Sequence, residues 1–243
     1  RRAGFLKNRH NINGLAADVF TASADILGSG ISWSAIKPEF IKGKFKEGGF
    51  SGDTFDINHL VFRYQLSDKE DLSGSNSIFD ASPCTKDIHL AAGEDPETEK
   101  IITTLYFYVA FDDASNSPVL YCQAQRKNLD NPAKDVSSPE AIALISNVER
   151  LYVLYGVDTN DPQDGIANQY LRADQIVETE WGNVSSVRIY IVIASEDKYM
   201  NYQTPSYLIE GKSYQGEVNT PSDKRLYKTF TTTIALRNID DDS

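Results

Sequence analysis

A strict two-residue alternation of side chains runs through residues 228–238, near the C-terminus of the chain. One alternating set is mostly apolar and the other mostly hydroxyl-bearing: Phe230, Thr232, Ile234 and Leu236 against Thr229, Thr231, Thr233 and Ala235. Successive side chains of a β-strand point to opposite faces of its sheet. The pattern therefore predicts a strand whose first set faces a core, while the second set forms a face of hydroxyl groups.

Similar patterns predict further strands at 57–66, 101–111, 118–125, 148–155 and 184–194. Residues 112–117 are rich in turn formers, so the strands on either side of them should pair as an antiparallel hairpin. In the first of these strands, one set of alternate residues is uniformly apolar and is predicted to be the buried face: Leu60, Phe62, Tyr64 and Leu66.

Helical signals are fewer than strand signals. The apolar residues of 12–27 fall near helical spacing, and a short helix is predicted at about 172–179. Pro139 suits the first turn of another short helix that would run to about Ser146. Residues 196–223 show no regular period and are interpreted as a long surface insertion. The sum is a single α+β domain over residues 1–243, built on an antiparallel sheet.

The charge balance argues against nucleic acid as a partner. The chain carries 35 acidic and 24 basic residues, which gives a net charge of -11. Such a surface repels phosphate backbones, so no direct nucleic-acid binding is expected. The most basic stretch, 37–46, is interpreted as a solvated loop, with DNA contact as the alternative.

Two cysteines, Cys84 and Cys122, leave two interpretations open. They could be buried thiols, or they could form a disulfide, which the exported-looking composition rich in Tyr, Thr, Ser and Asn favours. A zinc site from both cysteines and His89 would need a further ligand, and a disulfide would consume both thiolates.

The loop after residue 157 concentrates oxygen ligands as calcium loops do. Asp158, Asn160 and Asp164 stand at its first, third and seventh positions. The loop departs from an EF-hand because Pro162 occupies the fifth position and Gln169 the twelfth, where a bidentate Glu is needed. The alternative is a chain of turns in which Asp and Asn side chains bind the backbone. No other cofactor is expected.

Catalytic motifs are missing from the sequence. It contains no G-x-S-x-G elbow, no Walker loop and no dinucleotide fingerprint. An enzyme that uses Asp158, Asp161 and Asp164 is the weakest hypothesis, so the chain is predicted not to be an enzyme. Arg188 and Arg237 interrupt apolar strands, which favours pairing with Asp or Glu at a sheet margin over a role in binding an anion.

Aromatic side chains offer the best candidates for contact with a partner protein. The predicted insertion carries four tyrosines among polar residues, namely Tyr199, Tyr202, Tyr207 and Tyr214. Tyrosine provides rigid amphipathic contact area at low entropic cost. Tyr170 and Trp181 are interpreted as core residues, with a partner surface as the alternative.

Several of these residues carry a resemblance to a known family. The residues are the YGVDT sequence of 155–159, Tyr170, Trp181, Val187 with Arg188, and the TTIALRN sequence of 232–238. In this combination the chain resembles the PilW-type minor pilins of type IV pili. Its opening residues, 1–5, resemble the point in that family where the long N-terminal helix ends.

The resemblance implies a pilin-like fold, in which an N-terminal helix packs on one face of an antiparallel sheet. It also implies cysteines at comparable places, which supports the disulfide. The membrane helix would be absent from this sequence, which has no run of eighteen apolar residues and is expected to be a soluble fragment. The intact protein would sit in the inner membrane facing the periplasm, and later in the extracellular pilus.

The function implied by the resemblance is that of a minor pilin. Such a protein primes assembly of a type IV pilus with other minor pilins and the tip adhesin, and it lies at or near the tip. It would thereby support adhesion, twitching motility or DNA uptake. The alternatives are a J-type pseudopilin of type II secretion and a secreted calcium-dependent binding module or adhesin.

Overall fold

The structure is a computed structural model that describes residues 41–44, 59–65, 83–85, 88, 94, 98–99, 101–112, 114–137, 140–197, 206–215 and 225–236. These residues form two antiparallel sheets and a separate hairpin, and their helical structure consists of short 3-10 helices. The predicted α+β fold with a helix packed on a sheet is therefore wrong, because the described residues lie mostly in β-strands and include almost no helix. The helix predicted at 12–27 lies outside the described residues.

The first sheet has six strands: β1 (Ile41–Lys44), β2 (His59–Gln65), β3 (Ile101–Asp112), β4 (Ser117–Asn128), β5 (Val136–Ser137) and β6 (Ile142–Ser146). Their order is β1-β2-β3-β4-β5, and β6 also pairs with β4. The hairpin predicted around 112–117 is confirmed as β3–β4. Its turn is held by Asp112, whose Oδ2 accepts a hydrogen bond from the backbone N of Ser115 at 3.0 Å.

The second sheet has four strands: β7 (Val148–Val157), β8 (Gln169–Leu171), β9 (Val184–Ala194) and the last strand, β12 (Tyr227–Ala235). Their order is β12-β9-β7-β8, so β12 forms one edge. Between β9 and β12 the chain forms the hairpin of β10 (Ser206–Ile209) and β11 (Lys212–Gln215). The strand predicted at 184–194 has the observed bounds of β9.

The two sheets share one apolar core. Leu60 of β2 and Leu120 of β4 belong to the same buried cluster as Val153 of β7 and Val187 of β9. The apolar face predicted for the 57–66 strand thus packs against a second sheet. Val61, on the opposite face of β2, is buried as well, so the prediction of a single buried face was incomplete.

The short helix predicted after Pro139 is wrong, and the one predicted at about 172–179 is confirmed only in part. Residues 142–146 form β6, which pairs with β4, so tertiary hydrogen bonding overrides the helix-start signal of Pro139. In place of the helix at 172–179, the chain forms two 3-10 helices, Ala173–Gln175 and Glu178–Asn183. None of the helices in the described part of the chain is long and apolar enough to cross a membrane.

The interpretation of 196–223 as a stretch without regular structure is also wrong in part, because it contains the β10–β11 hairpin. Glu210 and Gly211 form its turn with φ of 52° and 75°. Positive φ at both turn residues matches the twist of a two-residue hairpin. Ile209 is buried against Tyr152 and Tyr190 on the outer face of the second sheet. The hairpin therefore covers the face of this sheet that is opposite the shared core.

Candidate functional site

A disulfide joins the segment before the first long strands to the centre of the first sheet. Cys84 lies in the 3-10 helix Pro83–Thr85 and is bonded to Cys122 of β4, with 5.6 Å between their Cα atoms. Both cysteines are buried. Because the bond consumes both thiolates, these residues cannot be the zinc ligands considered above.

A buried ion pair lies at the end of β4. Nη2 of Arg126 donates to Oε2 of Glu94 at 2.9 Å, and both side chains are 0% exposed. Nδ2 of Asn128 donates to the other carboxylate oxygen of Glu94, also at 2.9 Å. Burial lowers the pKa of the Arg126 guanidinium, whereas the nearby carboxylates of Glu94 and Asp135 raise it. These contacts fix Glu94 to the sheet.

This ion pair was not predicted from the sequence, although β4 carried a signal for Arg126. Alternate residues of β4 are buried, and the period that buries Cys122 and Ala124 also places Arg126 inside. A buried arginine needs an acceptor. Glu94 is distant in sequence, so nothing in the local pattern could identify it as the partner.

The predicted calcium ligands hold their own loop together. Asp158 is 1% exposed, and its two carboxylate oxygens accept hydrogen bonds from the backbone N of Asn160 at 3.0 Å and of Gly165 at 2.7 Å. Oδ1 of Asp164 accepts from the backbone N of Ile166 at 2.9 Å. Across the described ranges, no group of three or more His, Cys, Asp or Glu residues is placed to hold a metal ion. The geometry is that of the alternative, a chain of side-chain-to-backbone turns.

Two residues of the family-like motifs lie in the core. The ring of Tyr155 meets the ring of Trp181 edge-on at 4.9 Å, and both residues are buried. The Tyr155 hydroxyl donates to the carbonyl oxygen of His59 at 3.4 Å, which links the second sheet to β2. Burial raises the pKa of Tyr155 well above its ordinary value. These aromatic residues therefore connect the two sheets.

Arg188 packs on an aromatic ring. Its guanidinium carbon lies 3.9 Å from the centre of the Tyr170 ring, which is cation-π geometry. Its Nε donates to Oγ1 of Thr233 at 3.3 Å. The carboxylate partner predicted for Arg188 is not found among its contacts with described residues, and Arg237 lies outside them.

The predicted tyrosine surface is only partly described. Tyr207 of β10 and Tyr214 of β11 stand directly opposite each other in the hairpin. Tyr199 and Tyr202 lie outside the described residues. Contact of these tyrosines with a partner therefore stays a prediction.

A second group of tyrosines lies on the first sheet, where the sequence analysis did not single them out. The rings of Tyr106 and Tyr108 stack at 4.8 Å, and those of Tyr108 and Tyr121 at 5.8 Å. The Tyr106 hydroxyl hydrogen-bonds to Nδ1 of His59 at 2.9 Å. The sequence did carry a signal for this group, because Tyr106 and Tyr108 are two residues apart in β3 and therefore share a face. Tyr121 of β4 stands opposite Tyr108.

The edge strand β12 departs most from its prediction. Phe230 and Ile234 stand opposite Ile191 and Val187 of β9, which face the shared core. Yet Phe230 is 48% exposed and Ile234 is 37% exposed. The prediction that they pack against a core is wrong for Phe230 and Ile234, whereas Leu236, of the same alternating set, does pack against the shared core.

A comparison with protein families gives a match. The family model described as type IV pilus-assembly protein W, PilW, matches residues 106–238, which is more than half of the chain. The matched range begins within β3 and includes the acidic loop, Trp181 and all of β12. No curated protein and no solved structure matches the chain. The chain therefore belongs to the PilW family of type IV pilus-assembly proteins.

Proposed function

We propose that the protein is a non-catalytic minor pilin that primes assembly of a type IV pilus and lies at or near the pilus tip. The observation that carries the proposal is the PilW match over residues 106–238. Membership of this family supports a role in pilus assembly, and the priming step and the tip position are the specific form that we propose for it.

The distribution of polar groups supports a scaffold role. The carboxylates of Asp158 and Asp164 bind the backbone of their own loop, and Glu94 binds Arg126 in the interior. Large apolar side chains remain on the outside, among them Leu208 of β10 and Phe230 of β12. Exposed apolar side chains next to ordered strands are features of surfaces that meet other proteins.

The proposed partners are other minor pilins and the tip adhesin of the same pilus. The location that we propose is the inner membrane, facing the periplasm, before the protein enters the pilus. Twitching motility and DNA uptake would then depend on the protein through the pili that it helps to start.

The proposal is tested by deleting the gene in the host cell and counting surface pili by electron microscopy. A priming role predicts fewer pili per cell, while each remaining pilus keeps its normal length, since elongation uses other subunits. Expression of the full-length gene should restore the number, and a gold-labelled antibody should mark pilus ends. Normal pilus numbers would contradict the proposal, and loss of protein secretion with normal pili would indicate the J-type pseudopilin instead.

A further inference from the structure

The backbone of β12 has one hydrogen-bonding side that β9 does not use. Leu236 donates to the carbonyl of Ser185 at 2.8 Å, and Ser195 donates to the carbonyl of Leu226 at 2.8 Å. In an antiparallel ladder, hydrogen-bonded pairs alternate with pairs whose backbone groups point away. Even-numbered residues of β12 therefore face β9. The backbone groups of the odd-numbered residues Thr229, Thr231, Thr233 and Ala235 point to the open edge.

Within the part of the chain that the structure describes, this edge lacks the devices that usually prevent strands from pairing edge to edge. Proteins protect such edges with charged residues, proline or a bulge. The sequence of β12 contains one charged residue, Lys228, and no proline. Its pairing with β9 continues over nine residues without a register shift. Every residue from 230 to 235 is exposed, so the edge is accessible.

We propose that β12 is a strand-addition surface at which a second copy of this chain pairs antiparallel, about a two-fold axis through Thr232. This inference goes beyond the proposed function. The axis places Phe230 opposite the partner's Ile234, so each copy covers the apolar side chain that the other leaves exposed. Thr231 then pairs with the partner's Thr233, and the outward backbone groups of both strands form hydrogen bonds.

The charge of the molecule favours this edge over most of the surface for self-association. Each copy carries a net charge of -11, so two copies repel each other where acidic residues meet. β12 contains no acidic residue. In the proposed dimer, the uncharged centre of β12 in one copy lies next to the uncharged centre of β12 in the other copy. Added salt screens the remaining repulsion. The association should therefore strengthen as the salt concentration rises.

Sedimentation velocity of the 243-residue chain tests the pairing. We expect a concentration-dependent dimer, and we expect Thr231→Pro to weaken it by about tenfold or more, because each copy loses an outward N–H. The N–H of Thr231 makes no bond to β9, so the strand itself should persist on this edge. Thr231→Val keeps the N–H and the β-branched shape, and it should dimerise like the wild type.

A charge exchange tests the register. The double variant Phe230→Lys with Ile234→Glu places an introduced lysine opposite an introduced glutamate, so the dimer should persist. Phe230→Lys with Ile234→Lys places like charges opposite each other, so the dimer should be lost. Circular dichroism of each variant checks that the sheets are intact.

Three results would overturn the proposal. The first is a wild-type chain that stays monomeric up to about 1 mM, the weak end of protein association. The second is a dimer that Thr231→Pro leaves unchanged, which would place the contact elsewhere. The third is equal dimerisation of the two charge variants, which would exclude the register centred on Thr232.

Discussion

At the scale of single residues, the family-like motif around Tyr155 acts mainly in the interior. Tyr155 packs against Trp181, and Asp158 closes the loop that follows β7. A core position was predicted for Trp181, and the structure confirms it. For Asp158 both metal binding and turn formation were open, and the observed hydrogen bonds are those of turn formation.

The buried phenol of Tyr155 should make the protein sensitive to alkaline pH. Burial raises the pKa of Tyr155 in the folded state above the unfolded value of 10.0. The contribution of the protonated phenol to the free energy of unfolding is therefore fully present below pH 10.0. Above that pH it falls by about 1.4 kcal/mol per pH unit, because the unfolded state loses the proton first. Tyr155→Phe should remove that part of the slope.

Urea unfolding of the wild type and Tyr155→Phe at pH 8 to about 11 measures the difference, because the other titrating groups are common to both proteins. Parallel stability curves in this range would contradict the prediction.

Removing only one partner of the Arg126–Glu94 ion pair should strongly lower the free energy of unfolding. Glu94→Ala leaves a buried guanidinium without its carboxylate, which should lower the free energy of unfolding by about 3–5 kcal/mol. The control is Lys134→Ala, since Nζ of Lys134 bonds Glu99 at 3.1 Å with both side chains 22% exposed. Breaking this partly exposed pair should cost about 1 kcal/mol or less. Urea unfolding should separate the two variants, and equal losses would show that burial is unimportant here.

At the scale of elements, the longer strands that the structure describes were predicted well, whereas the short strands and the helices were not. The period of two in 184–194 and 101–111 is a local property, and it identified β9 and β3 within a residue or so. The failure at 142–146 has a tertiary cause, because these residues complete a ladder with β4 that no local signal reveals. The face of β12 was assigned correctly, but the burial of Phe230 and Ile234 was not, since burial depends on which distant parts of the chain pack against that face.

The disulfide should contribute to stability through the loop that it closes. Cys84 and Cys122 are 38 residues apart in sequence, a loop length for which the chain-entropy model gives about 4 kcal/mol. We expect a reducing agent to lower the free energy of unfolding by about that amount. The double variant Cys84→Ser with Cys122→Ser should match the reduced wild type and should not respond to the reductant. A reductant-sensitive double variant would assign the effect to another cause.

At the scale of the whole molecule, both sheets pack on one core. A substitution that weakens this core from one sheet should therefore destabilise the other sheet as well. Leu120 of β4 is buried in the shared core, whereas Ile145 of β6, which pairs with Leu120, is 38% exposed. We expect Leu120→Ala to cost about 2–5 kcal/mol and Ile145→Ala to cost about 0.5 kcal/mol or less. Hydrogen exchange should show faster opening in both sheets for Leu120→Ala. Faster exchange in the first sheet alone would mean that the sheets unfold independently.

The architecture itself could not be deduced from local pattern. The apolar faces were identified correctly, as for Leu60 of β2, but an apolar sheet face fits a helix or a second sheet equally well. The pairing of Glu94 with Arg126 was equally inaccessible, because no local period connects residues so far apart. The residues of the acidic loop were identified, and their hydrogen bonds are those of turns, while calcium binding by them stays a prediction.

The covalent link between Cys84 and Cys122 has a mechanical consequence. A protease that cuts the backbone once anywhere between these two residues leaves both pieces attached to each other. Pulling on the chain from its two ends would likewise bypass the 85–121 stretch, since tension passes through the sulfur bridge. The turn of the β3–β4 hairpin lies inside that stretch, so a force applied at the two chain ends would not pass through it, whereas the residues of β4 after Cys122 would carry that force.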